Sequence, residues 1–274
     1  MPEGVGQEGW LVPGGVKLAV CGKGGVGKTT VAALLAEIYA ARGHRVLAVD
    51  ADPDANLGAA LGFPAEEVAR IVPVAAMDEL IAERTGARPG TVGAWFALNP
   101  KVDDLPDSLG LQRNHIRLLV MGGVKAAGGG CACPENALLQ ALLRHLVLQR
   151  QDTVVVDLEA GLEHVGRGTA RGVDAFLVVV EPGQRSFQTA RAVSGAAQAL
   201  GVRKVLGVGN KVRPGEEGVI RDGLAPLPVI GMLPYDLDAV RSDVEGQAVY
   251  QACPRLREAA EELFRALQKE LPPM

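Results

Sequence analysis

The run Val16-Lys17-Leu18-Ala19-Val20-Cys21 leads straight into Gly22-Lys23-Gly24-Gly25-Val26-Gly27-Lys28-Thr29-Thr30, and a helix-forming stretch from Val31 follows at once. The turn satisfies the spacing G-x-x-x-x-G-K-[ST] in the setting that it requires, a strand before and a helix after. A chance match in a chain of this composition has odds of about half a percent, and the strand–helix setting lowers them further. Glycines let successive backbone N–H groups curl around a phosphate, and the helix start adds its positive end. Lys28 supplies a cation to the phosphates, and the Thr29 hydroxyl is placed to hold Mg²⁺. Residues Gly22 to Thr30 therefore read as the cradle of a nucleotide.

Outward from this loop, short apolar runs recur at Arg45–Asp50, Ile116–Met121, Thr153–Leu158, Ala175–Val180, Arg203–Asn210 and Pro228–Met232. They are rich in Val and Leu without clean alternation, as strands buried on both faces of a parallel sheet are. Helical patterns at Lys28–Ala41, Pro134–Gln149, Ser186–Leu200 and Arg255–Leu271 lie between or after them. This alternation predicts an α/β fold: a doubly wound, mostly parallel sheet of about seven to eight strands, with helices on both faces. The stretch 58–115 breaks the rhythm, with helices expected near Ala65–Ile71 and Met77–Thr85, and reads as an insertion on the sheet. Residues 1–15 read as a flexible tail and 16–274 as one domain.

Composition agrees. Of 274 residues, 48% are apolar and 22% charged, ordinary values for a globular chain that argue against disorder and coiled coil. The net charge of −4 offers no general affinity for nucleic acid or an anionic membrane. No run of apolar residues is long enough to span a bilayer, and the acidic start lacks a signal core. A cytoplasmic location is expected. In that reducing compartment Cys21, Cys131, Cys133 and Cys253 are thiols or metal ligands rather than disulfides.

Lys23, directly after the first glycine, adds a second lysine to the loop. With it the chain resembles the deviant Walker ATPases of the MinD/ParA and nitrogenase-iron-protein group. The resemblance implies a homodimer in which Lys23 reaches the partner's nucleotide, a cation supplied in trans to the developing phosphate charge. It also implies roles for the acids at strand ends, where ligands of doubly wound sheets bind. In Asp50-Ala51-Asp52-Pro53-Asp54, Asp52 matches the switch I carboxylate that orients the attacking water and joins Thr29 and Asp157 around Mg²⁺, with Asp50 supporting the shell. Asp54 reads as turn chemistry. Asp157, closing the run Thr153–Val156, fits a Walker B carboxylate on Mg²⁺ with Thr29. The Gly161 region corresponds to switch II, and His164 reads as structural. Asn210 matches an adenine contact, with Lys211, Pro234 and Tyr235 beside it.

Cys131-Ala132-Cys133 sits between three glycines and Pro134-Glu135-Asn136. Pro134 is a good first helical residue, so both sulfurs lie at a helix start, where thiolate is favoured. One C-x-C supplies two ligands, and two copies on a two-fold axis supply the four of a closed site. Here the resemblance narrows. The loop, Asp-Ala-Asp-Pro-Asp, Leu98-Asn99-Pro100-Lys101-Val102, Cys-Ala-Cys-Pro-Glu-Asn, Arg167-Gly168-Thr169-Ala170, Glu181-Pro182-Gly183 and Asn210-Lys211-Val212-Arg213 resemble the CooC-type maturation ATPases. That resemblance implies an ATP-dependent dimer carrying Ni²⁺, or Zn²⁺, between its Cys131 and Cys133 pairs. Its client would be carbon monoxide dehydrogenase, whose Ni–Fe–S cluster receives the nickel.

Two other classes compete. An iron–sulfur electron carrier like the nitrogenase iron protein would use cysteines, but in that group they lie far apart in sequence. A membrane- or DNA-associated positioning ATPase would need a basic amphipathic C-terminal helix. Arg255–Leu271 instead carries four basic and four acidic residues, with Leu256, Leu263, Leu267 and Leu271 on one side. It reads as a helix packed on the core.

Overall fold

The chain's first strand, β1 (Lys17–Gly22), is buried at every position and hydrogen-bonded on both sides, so all its residues must be apolar, small or paired. The structure is a computed structural model that describes residues 15–91, 93–122, 134–159, 165 and 167–271. Cys131, Cys133 and His164, singled out from the sequence, lie outside the described residues.

The remaining strands are β2 (Val46–Ala51), β3 (Leu111–Arg113), β4 (Ile116–Val120), β5 (Thr153–Leu158), β6 (Ala175–Val180), β7 (Val205–Val212) and β8 (Val229–Pro234). They form one sheet of eight strands in the order β3-β4-β2-β5-β1-β6-β7-β8. Every pairing is parallel except that of β3 with β4, a short antiparallel edge. Outward from β1 lie β5, β2, β4 and β3 on one side and β6, β7 and β8 on the other, and the chain fills the first side before it crosses to the second. The order therefore reverses at β1, the position where doubly wound sheets bind ligands.

The helices are α1 (Lys28–Ala41), α2 (Leu57–Ala60), α3 (Ala65–Val68), α4 (Asp78–Thr85), α5 (Leu105–Leu109), α6 (Pro134–Leu148), α7 (Arg167–Gly172), α8 (Gln184–Leu200), α9 (Glu217–Leu224), α10 (Leu237–Glu245), α11 (Val249–Ala252) and α12 (Pro254–Glu270). Alternate residues of β1 feed two separate cores. Leu18 and Val20 pack with α1 and α12, whereas Ala19 and Cys21 pack with α6, α8 and α9. This is why the strands read as unbroken apolar runs: both faces are dry.

The C-terminal helix behaves as its pattern predicts. Leu256, Leu263 and Leu267 are fully buried, and a Cβ on Gly231 of β8 would stand 2.7 Å from Leu263 Cδ1, so the helix lies directly on the strand. Tyr39 of α1 stacks edge-on against Phe264 with centroids 5.0 Å apart, and its hydroxyl accepts from Gln268 at 3.0 Å. Among the described residues no helix is long and apolar enough to cross a membrane.

Candidate functional site

Three strands end side by side at the reversal point, each delivering one piece of the site. β1 ends in the phosphate loop, β2 in Asp50 and the acids after it, and β5 in Asp157, which pairs with Asp50 in strand register. The loop's curl depends on two glycines. A Cβ on Gly22 would meet the Val179 carbonyl at 2.4 Å. Gly27, with φ 87°, would drive a Cβ to 2.1 Å from Asn210 Nδ2. Gly27 also caps α1, whose first turn holds no acidic residue and no side-chain cap, so its positive end is free for an anion.

Lys28 is buried at the start of α1 and donates to Asp52 Oδ2 at 2.5 Å. Burial favours its neutral form, but the bond to Asp52 and the charges of Asp157 and Asp52 outweigh that and hold its pKa above the ordinary value. The ammonium is secure at any working pH. Thr29 donates its hydroxyl to Asp157 Oδ2 at 2.6 Å. The other oxygen, Asp157 Oδ1, is buried with no hydrogen-bond partner. Burial pushes the Asp157 carboxyl up to about 7, opposed by Thr29 and reinforced by the Asp50 charge. A buried carboxylate with an idle oxygen beside a threonine hydroxyl fits Mg²⁺, which takes one or two protein oxygens and draws the rest from water and phosphate.

Asp50 is fully buried. It accepts from the backbone N–H of Leu57 at 2.8 Å and of Asp52 at 3.2 Å, tying down the whole turn that carries Asp52. Burial raises its pKa to about 6 against those two bonds. Sequence reasoning placed Asp50 near the metal shell but missed this bracing, whose only linear signal is an acid seven residues before a helix start.

Lys23 is half-buried, and its ammonium has no ion pair or hydrogen-bond partner among the described residues, while Gly24 and Gly25 beside it are exposed. Val26 is buried under the loop and Thr30 continues the first turn of α1. On the far side Asn210 is buried and donates to the Val26 carbonyl at 2.8 Å, and Lys211 donates to the Gly25 carbonyl at 2.5 Å. Pro234 ends β8, and the Arg213 guanidinium covers the Tyr235 ring at 4.6 Å. Those of the expected residues that the structure describes thus gather at the carboxyl ends of the strands.

The other cysteines are structural. Cys21 is fully buried, its thiol pushed up to about 12 by burial and by the Asp157 charge. Cys253 is equally buried at the start of α12, with its pKa raised mainly by burial. Among the described residues no group of three or more His, Cys, Asp or Glu side chains is arranged to hold a metal ion. The segment Leu98–Val102 is anchored to α6, the helix that begins directly after the C-x-C, by Arg144 donating to Asn99 Oδ1 at 2.9 Å.

A cradle of backbone amides, a buried lysine and a threonine–aspartate pair at the reversal point of a parallel sheet define a P-loop nucleotide-binding protein. The chain belongs to the CobQ/CobB/MinD/ParA nucleotide-binding family, whose domain description matches residues 18–249. Within that family its kinship is with the CooC-type proteins. It is 44% identical over 259 residues to the carbon monoxide dehydrogenase accessory protein CooC of Rhodospirillum rubrum, covering 94% of this chain and 98% of that one. It is also 43% identical over 237 residues to an uncharacterized ATP-binding protein of Methanocaldococcus jannaschii, covering 85% of this chain and 91% of that one. Among solved structures, the septum site-determining protein MinD of Pyrococcus horikoshii, complexed with Mg-ADP, superposes with a TM-score of 0.65 at 20% identity, covering 93% of this chain and 96% of that one. At that identity the likeness speaks for the fold alone.

Proposed function

We propose that the protein is a cytoplasmic, Mg²⁺-dependent ATPase that acts as a homodimeric metal-insertion factor, carrying nickel to carbon monoxide dehydrogenase. The observation that carries the reading is the pair of hydrogen bonds made by adjacent loop residues, Lys28 to Asp52 and Thr29 to Asp157, in a chain 44% identical to a carbon monoxide dehydrogenase accessory protein. Thr29 and Asp157 are the residues that would hold Mg²⁺, which neutralises phosphate charge and orders the phosphate oxygens when bound.

The chain's own residues divide the remaining work. The loop amides and the α1 start receive the β-phosphate. Lys28 is shared: phosphate competes with Asp52 for the ammonium, so nucleotide binding releases the Asp52 carboxylate. Freed, and held in place by Asp50, Asp52 orients the attacking water and accepts its proton. Asn210, Lys211 and Pro234 border the base side of the site. Lys23, whose ammonium has no partner among the described residues of one protomer, completes the partner's site and makes hydrolysis depend on dimerisation.

The cargo is the nickel ion. Two protomers would present Cys131 and Cys133 twice, four thiolates that exclude Mg²⁺ and suit Ni²⁺ or Zn²⁺. Because metal and ATP would both favour the closed dimer, hydrolysis loosens it and lowers metal affinity, a coupling that is reciprocal. Equilibrium dialysis of Ni²⁺ against wild type and Cys131→Ser/Cys133→Ser tests this. The expected stoichiometry is one metal per wild-type dimer and none for the double variant. Unchanged binding in the variant removes the site, and a brown, iron-containing wild type favours an electron carrier instead.

A further inference from the structure

β7 does not end as a regular strand. Its pairing with β8 slips between Gly209 and Val212, and Lys211 within the slip has φ 56°, a backbone that residues with a Cβ seldom adopt. Such bulges re-aim side chains and occur beside functional sites. This one turns two consecutive side chains onto two consecutive carbonyls of the phosphate loop. Asn210 holds Val26, and Lys211 holds Gly25 through the shorter, charge-assisted bond of 2.5 Å. The Glu181 carboxylate, just past the end of β6, stands 3.5 Å from the same ammonium.

The carbonyl and N–H of a trans peptide point opposite ways. Fixing the Gly25 carbonyl therefore fixes the Val26 N–H, which closes the turn onto the Lys23 carbonyl at 3.3 Å. Fixing the Val26 carbonyl likewise turns the Gly27 N–H away from β7. The conformation of Gly22–Gly27 is thus imposed from the end of β7, across more than 180 residues of sequence.

We propose that Lys211, steadied by Glu181, is a positioning residue of the nucleotide site: a tie that sets the peptide planes of the phosphate loop and the backbone from which Lys23 projects. The role rests on reading Gly22–Thr30 as a nucleotide cradle, and differs from a contact with the base. The strained backbone at Lys211 makes sense on this account, because only the bulge brings the ammonium over the loop.

Mg-ADP titration calorimetry and hydrogen exchange of the loop test it in the full chain. Lys211→Asn is the informative variant, since Asn tolerates a left-handed backbone and preserves the bulge while removing the ammonium. ADP affinity should fall roughly tenfold, and exchange across the loop peptides should quicken without nucleotide, with the melting temperature unchanged. Lys211→Arg should restore most of the affinity. Glu181→Gln should weaken binding several-fold, and add little on top of Lys211→Asn. Unchanged ADP affinity in Lys211→Asn overturns the tie. So does weakened affinity with loop exchange like wild type, which marks a base contact. Wild type that binds no ADP refutes the cradle itself.

Discussion

Lys28 and Asp52 hold each other at 2.5 Å, and on the proposed reading a phosphate in the loop competes with Asp52 for that ammonium. Lys28→Ala is expected to abolish ADP binding. Asp52→Ala should retain or tighten binding several-fold, because it frees the ammonium, while ATP turnover falls at least a hundredfold. Calorimetry and phosphate release measure the two effects, and full turnover in Asp52→Ala would exclude it from the reaction. At the opposite end of β1, Lys17 donates to the carbonyls of Arg150 and Asp152, and burial lowers its pKa to about 8 against the pull of Asp152 and Asp174. Between about 8 and the ordinary value of 10.5, the unfolded chain keeps a proton that the native state has lost, so stability rises with pH there. Cys21, protonated up to about 12 in the native state, works the other way once pH passes its ordinary 9.0. From about pH 7.5 to 9 the urea midpoint should therefore rise, and rise less in Lys17→Met. Equal slopes in both proteins would remove Lys17 as the cause.

The longer elements were legible because both sheet faces are dry and the large helices carry long periodic patterns. All seven apolar runs became strands within a residue or two, and α1, α6, α8 and α12 match their expected spans closely. What escaped was short. The edge strand β3 has three residues, and α2, α5 and α11 have four or five, too few for a period to register. Such pieces form because neighbours hold them, as Asp50 holds the start of α2. The α10 start does carry a local signal, an Asp236 cap that accepts from the Asp238 N–H at 2.9 Å. Leu263 shows how much one buried side chain of α12 bears: Leu263→Ala leaves a void against Gly231 and should cost about 3 kcal/mol by urea unfolding. A loss below about 1 kcal/mol would mean that α12 does not depend on that contact.

At the scale of the molecule, the proposed homodimer would pair this site with a second copy of itself. The loop presents the Lys23 ammonium with no partner among the described residues, beside the exposed Gly24 and Gly25, where three strand ends converge. ATP should drive wild type to a dimer in analytical ultracentrifugation, while Lys23→Ala stays monomeric and hydrolyses ATP at least tenfold more slowly. A Lys23→Ala protein that dimerises and turns over normally would place that lysine outside the mechanism.

Sequence alone determined the fold class and the chemistry of the loop. Glycine spacing, a following lysine and threonine, and the period of buried strands are local constraints that leave few alternatives. It also marked Asp50, Asp52 and Asp157, because they stand at the carboxyl ends of apolar strands, where parallel sheets bind ligands, and because the resemblance to the deviant Walker group implied roles for them. Only the tertiary structure decided which of these groups meet. Lys28 found Asp52, Thr29 found Asp157 and Lys211 found Gly25, across separations of 24, 128 and 186 residues. The order of strands sets those meetings: β5 lies between β1 and β2, and a bulge at the end of β7 turns its side chains inward. Contacts at such range depend on which strands become neighbours, and no local pattern in the chain encodes that.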